Sequence, residues 1–85
     1  MSRQDSDAST VTAILLNALG NGVLAQVVDV VAEADDAVRL KSLGICIGRR
    51  VQLVKGGDPL IVRVLGARVG LSARLAAGVV VRPLD

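Results

Sequence analysis

Histidine, phenylalanine, tyrosine and tryptophan are all absent from this 85-residue chain, and cysteine and methionine occur once each. Each absence removes a class of function. Without histidine there is no Ser–His or Cys–His nucleophile pair for acyl transfer or proteolysis. Without aromatic rings there is no ring-lined groove for proline-rich peptides and no platform for stacking single-stranded bases. One cysteine, Cys46, cannot close an internal disulfide, which fits a reducing cytosol. Acids are scarce too. Between residues 37 and 82 the only carboxylate is Asp58, so two carboxylates facing each other across a cleft are not available for hydrolysis. The glycines of "VKGGDPL" lack the spacing of a phosphate-binding loop and read as a hairpin turn. An enzyme is not expected.

Long hydrophobic runs are missing as well. Residues 8–28, "ASTVTAILLNALGNGVLAQVV", carry no charge, but Ser9, Thr10, Thr12, Asn17, Asn21 and Gln26 dilute them and "GNG" interrupts them. Neither a membrane span nor a signal peptide is expected. The sequence places the protein in the cytoplasm.

What is present is aliphatic and basic. Hydrophobic residues make up 52% and charged residues 21%, a globular composition for one domain. The core must be built from Val, Leu, Ile and Ala, and at this length it is thin. Charge is unevenly spread. Residues 1–36 set Arg3 against Asp5, Asp7, Asp29, Glu33, Asp35 and Asp36, whereas residues 37–82 set nine cations against Asp58 alone. A basic region of this density suits an acidic partner, nucleic acid or a solvated face.

The polar residues 1–10 read as a disordered tail, and 11–85 as the folded domain. Residues 11–19 read as a short helix or an extended lead-in, with Leu16 and Leu19 directed to the core. The β-branched run 23–33 predicts a long first strand, with Val27, Asp29 and Val31 on one side and Val28 and Val30 on the other. Residues 35–44 predict a helix with Asp35 as N-cap and Gly44 just beyond its C-terminus. Further strands are expected over 49–55, 59–65, 67–71 and 79–82, joined by glycine turns, with a Ser72-capped helical turn before the last. Leu40, Leu43, Val51, Leu53, Leu60, Val62, Val64, Leu71, Leu75 and Val80 form the expected core. The fold class is mostly β, a sandwich or barrel of about five strands with one inserted α-helix.

Two groups of residues are candidates for function. Asp29, Glu33, Asp35 and Asp36 offer oxygen ligands for a weak divalent site, with Cys46 as a further donor. Transition metals favour imidazole and thiolate, so a helix N-terminus with dipole-favourable acids is the simpler reading, and Cys46 reads as an inert loop thiol. No cofactor is expected to bind tightly. The hairpin "GGDPLIVRVLGARVGLS" turns Leu60, Val62 and Val64 to one face and leaves Ile61 and Leu65 beside Arg63 on the other. With Arg68 these form a docking patch, unless the helix covers Ile61 and Leu65.

The order of "RLKSLGICIG", the "GDPL" hairpin, Gly66, Arg68 and Leu71, a small turn and "VVV" resembles the FeoA family of bacterial ferrous-iron-transport proteins over residues 14–83. The resemblance implies an SH3-like barrel, no enzymatic activity, and docking on the cytosolic part of a membrane GTPase that moves ferrous iron. It also implies transition-metal binding as a family property. Ile47 stands where the family usually has proline, and Ala67 where larger residues are frequent. A second copy of the chain is another expected partner. The alternative is a basic barrel that grips nucleic acid through arginine–phosphate contacts.

Overall fold

A computed structural model of the protein describes residues 12–84; the expected tail over 1–10 lies outside them. Six strands form one antiparallel sheet: β1 (Ile14–Leu15), β2 (Leu24–Val30), β3 (Arg50–Lys55), β4 (Leu60–Val64), β5 (Ala67–Leu71) and β6 (Val79–Pro83). Helix α1 (Ala34–Ser42) follows β2, and the one-turn helix α2 (Ala73–Ala76) precedes β6. The spatial order is β1-β6-β2-β3-β4-β5, so among the described residues β1 and β5 are the edge strands. The inward side chains of β2–β6 join Leu16, Leu19, Leu40 and Ile45 in one aliphatic cluster. A single sheet without a second layer can enclose such a core only by curling on itself.

Period-two alternation builds the hairpins as the sequence leads one to expect. Val51 and Leu53 of β3, and Leu60, Val62 and Val64 of β4, are all at most 2% exposed. Where the structure departs from the expectation, the cause is local. The lead-in is a two-residue strand, Ile14–Leu15, paired with Val81 and Val80, followed by a 3-10 turn over Leu16–Ala18. It adds a sixth strand, and Leu16 and Leu19 do enter the core. Strand β2 stops at Val30, and its register against β6 shifts between Val27 and Asp29 before pairing resumes at Asp29 with Val80 and Val30 with Val79. The shift sends Asp29 outward instead of placing it beside buried Val27, and its carboxylate accepts the Val30 N–H at 2.8 Å. In β6 the buried residues are Val79 and Val81, so Val80 is only half-buried. The strand is pinned one residue earlier, where the Val31 N–H donates to the Gly78 carbonyl at 2.7 Å.

Helix α1 begins at Ala34 after Glu33, and no side chain caps it. Asp35 is therefore not the N-cap. It lies with Asp36 in the first turn, where both acids face the positive end of the helix dipole. The other end matches its sequence signal. The Gly44 N–H donates to the Lys41 carbonyl and the Ile45 N–H to the Leu40 carbonyl, both at 2.9 Å, with Gly44 at φ +91°. This Schellman closure needs a left-handed residue, which glycine supplies without a Cβ penalty. It drops Ile45, 1% exposed, into the core and leaves Leu43 at the helix end half-buried. At α2 the Ser72 hydroxyl accepts the Leu75 N–H at 3.2 Å, the cap the sequence indicates.

Candidate functional site

The β4–β5 hairpin is joined by Leu65 and Gly66 alone, with Val64 opposite Ala67. A two-residue turn that follows the strand twist puts its first central residue at positive φ, and in the type I′ form both of them. Gly66 adopts it at +80° without cost, and Leu65 adopts it at +54°. A left-handed L-residue costs roughly 1–2 kcal/mol. Asn, Asp or Gly is the usual choice, yet this chain places leucine there and leaves it 69% exposed. One side of Leu65 rests on the end of α1, where a Cβ on Gly44 would lie 3.3 Å from Leu65 Cδ1. The helix does not cover it.

Below the turn, Arg63 and Arg68 sit directly opposite each other on the outer face, both exposed. Like charges facing each other across a strand pair are destabilising. Among the described residues neither makes an ion pair. Ile61, two residues before Arg63, is half-buried opposite Gly70. The four residues proposed from sequence as a docking patch therefore share one hairpin, with Leu65 at its tip and Ile61 recessed.

The acidic candidates lie elsewhere. Asp36 pairs with Arg74 of α2, 2.7 Å between Oδ2 and a guanidinium nitrogen, with a second contact at 3.3 Å. That hydrogen bond, then the charge of Arg74, holds the Asp36 carboxyl below its ordinary range. The pair lies in a cleft of about 370 Å³ between the end of β2, the start of α1 and α2. A second cleft, about 400 Å³, is lined by Val30, Ala37, Lys41, Ile45, Cys46 and Ile47. Cys46 thus lines a different cleft from Asp36. Its sulfur is 4.0 Å from a guanidinium nitrogen of Arg49, whose Nε–H donates to the Gly44 carbonyl at 3.1 Å.

With this arrangement in view, the comparisons with known proteins become informative. The FeoA domain family matches residues 14–83. This chain belongs to the FeoA family. A FeoA from Stenotrophomonas maltophilia is 36% identical, with a TM-score of 0.72, covering 80% of this chain and 88% of that one. It is described as a prokaryotic SH3 domain protein complexed with zinc and as a candidate activating factor for bacterial ferrous iron transport. A FeoA described as an iron uptake regulatory protein is 28% identical with a TM-score of 0.82, covering 86% of this chain and all of that one. The Chlorobium tepidum FeoA is 29% identical with a TM-score of 0.78, covering 85% and 71%. No curated protein matches the chain in sequence. The SH3-like barrel and an accessory place in ferrous iron transport follow from this membership.

The metal does not follow in the same way. Among the described residues of this FeoA domain, no three His, Cys, Asp or Glu side chains gather where an ion could be held. Asp36 is engaged by Arg74, and Asp35 and Cys46 do not join it in a cluster. The donor set does not fit a closed transition-metal site, which needs nitrogen or sulfur ligands in number. No helix among the described residues is long and apolar enough to cross a membrane.

Reading the sequence missed the strain at Leu65. Gly66 signals a turn, but the strand expected over 59–65 runs through Leu65 and leaves the glycine alone between strands. The observed strands end at Val64 and resume at Ala67, and this two-residue loop puts the residue before the glycine at positive φ as well.

Proposed function

We propose that this FeoA domain is a non-enzymatic cytoplasmic accessory of ferrous iron uptake. It docks through the outer face of its β4–β5 hairpin on the cytosolic part of a membrane ferrous-iron-transport GTPase. The observation that carries the reading is Leu65, a large apolar side chain held exposed at φ +54° between Arg63 and Arg68. Strain of this kind persists where it serves something other than the isolated fold. An exposed apolar side chain flanked by two arginines is the make-up of a docking patch. Metal enters as cargo of the transport system. Any divalent binding by the isolated domain is weak and draws on Asp35, Asp36 or Cys46.

The test is the double variant Ile61→Asp with Leu65→Asp, assayed for binding to the cytosolic region of the GTPase. The expected result is a folded protein by circular dichroism that has lost at least tenfold in affinity. A folded variant with unchanged affinity would overturn the docking reading. Because Ile61 is half-buried, Leu65→Asp alone serves as the second variant if the pair unfolds. Anaerobic titration calorimetry with ferrous iron checks the metal statement, and a micromolar one-to-one site would refute it.

A further inference from the structure

Among the described residues strand β5 pairs on one side only, and the ladder determines which of its backbone groups point away from that partner. On β3, the Leu53 N–H donates to the Val23 carbonyl and the Leu53 carbonyl accepts from Gly22, so odd-numbered β3 residues bond toward β2. Gln52 then bonds toward β4, where it faces Arg63. The alternation of antiparallel ladders carries this onward: Arg63 bonds toward β3, and Arg68 and Gly70 point their N–H and C=O groups away from β4. Among the described residues no backbone group bonds to them. Ala67, Arg68 and Gly70 are exposed.

Among the described residues nothing requires Gly70 to be glycine. Its φ is not in the left-handed region, and an added Cβ would meet only Ile61 Cδ1, at an ordinary 3.9 Å. Glycine within a strand costs stability and marks a place where another backbone or side chain comes close. Here its lack of a side chain opens the space above half-buried Ile61. Arg68, next to it on the same face, lies opposite Arg63 with no acid among the described residues to offset the pair.

From these observations we infer that β5 takes up an extended segment of a protein partner as an added strand. That segment carries an acidic side chain opposite Arg68 and a bulky apolar one opposite Gly70. Edge pairing gives affinity through main-chain hydrogen bonds and selectivity through alternate side chains. A large side chain across from an edge glycine restores the packing the glycine lacks. A second copy pairing β5 to β5 would bring the arginines of both copies together, so the charge selects an acidic partner. The inference rests on the docking reading only for its statement that the partner is a protein.

The probe is a synthetic peptide of alternating valine and glutamate in which one central glutamate is replaced by tryptophan. The protein has no aromatic residue, so all the tryptophan fluorescence comes from the peptide. Binding is expected to shift that emission to shorter wavelength and to slow exchange of the Arg68 and Gly70 amides at least tenfold. Arg68→Glu should weaken binding at least tenfold and favour a lysine-for-glutamate peptide. Gly70→Ile, which fills the space over Ile61, should weaken it at least fivefold without lowering stability. A peptide N-methylated at alternate residues should not bind. The inference is overturned if the N-methylated or lysine peptide binds the unaltered protein equally well. It is also overturned if protection falls on Ala37–Ile47 instead, or if no binding occurs at millimolar peptide. If the GTPase region binds while the acidic peptide does not, edge pairing fails and docking stands. If the peptide binds and the GTPase region does not, the reverse holds.

Discussion

Strands β5 and β6 are each five residues long, but they occupy opposite situations. β6 lies between β1 and β2, with Val79 and Val81 fully buried. β5 lies at the edge, where only Leu71 is fully buried. Each has a nearby glycine, and the two glycines differ in the same way. A Cβ on Gly78 would stand 2.7 Å from the Val31 carbonyl oxygen, whereas one on Gly70 would touch nothing tightly. The first glycine is demanded by the fold. The second is not demanded by any described neighbour, and edge pairing builds on that difference. In a small aliphatic barrel, residues that the interior does not require are the ones that point to function.

The largest effect should separate the two strands by burial. Val81→Ala is expected to cost about 2–3 kcal/mol, while Val69→Ala, half-buried at the edge, should cost under about 1 kcal/mol. Urea denaturation midpoints at constant slope measure both. Equal costs would break the comparison. Next come the glycines. Gly78→Ala should cost about 1–3 kcal/mol because the clash is with backbone at a 2.7 Å hydrogen bond. Gly70→Ala should instead stabilise by about 0.5 kcal/mol.

Relieving the strained turn should have an intermediate effect of opposite sign. Leu65→Asn is expected to raise stability by about 1 kcal/mol, or roughly 4–8 °C in melting temperature, while weakening partner binding. A variant that gained stability without losing binding would detach the strain from docking.

The smallest effect concerns the exposed ion pair. The folded Asp36 carboxyl titrates below its ordinary value of 3.8, so its contribution is present above that value and is lost as pH falls through the lowered one. Asp36→Asn should remove this small contribution at neutral pH and flatten this part of the acid limb, so that variant and parent converge in stability at low pH. With Arg74 69% exposed, salt should mimic the substitution.

Much of this architecture could be read from the residues. The alternation through "VQLVK" and "LIVRV" fixed the inward faces of β3 and β4, and Gly44 and Ser72 marked helix ends whose hydrogen bonds are now in place. What could not be read depended on partners distant in sequence. The shift at Val28 arises from pairing with β6, fifty residues away, and so does the outward turn of Asp29. The phase of β6 depends on where Gly78 meets Val31. Helix α1 has its N-cap two residues earlier than expected, at Glu33 instead of Asp35, with no capping side chain. For the candidate site, the sequence grouped Ile61, Arg63, Leu65 and Arg68 correctly on one hairpin, but the edge beside them exists only in the sheet order.

Helix α1 is fastened differently at its two ends. Its C-terminus is anchored by Ile45 in the core and by the left-handed Gly44, and neither attachment responds to ionic conditions. Among the described residues the one ion pair at its N-terminal end is the solvent-facing contact of Asp36 with Arg74. Raising ionic strength toward 1 M shortens the Debye length to about 3 Å, so salt weakens this attachment and leaves the apolar one at the other end in place. Both clefts are lined by this helix, through Asp36 in the one around Arg74 and through Ala37 and Lys41 in the other.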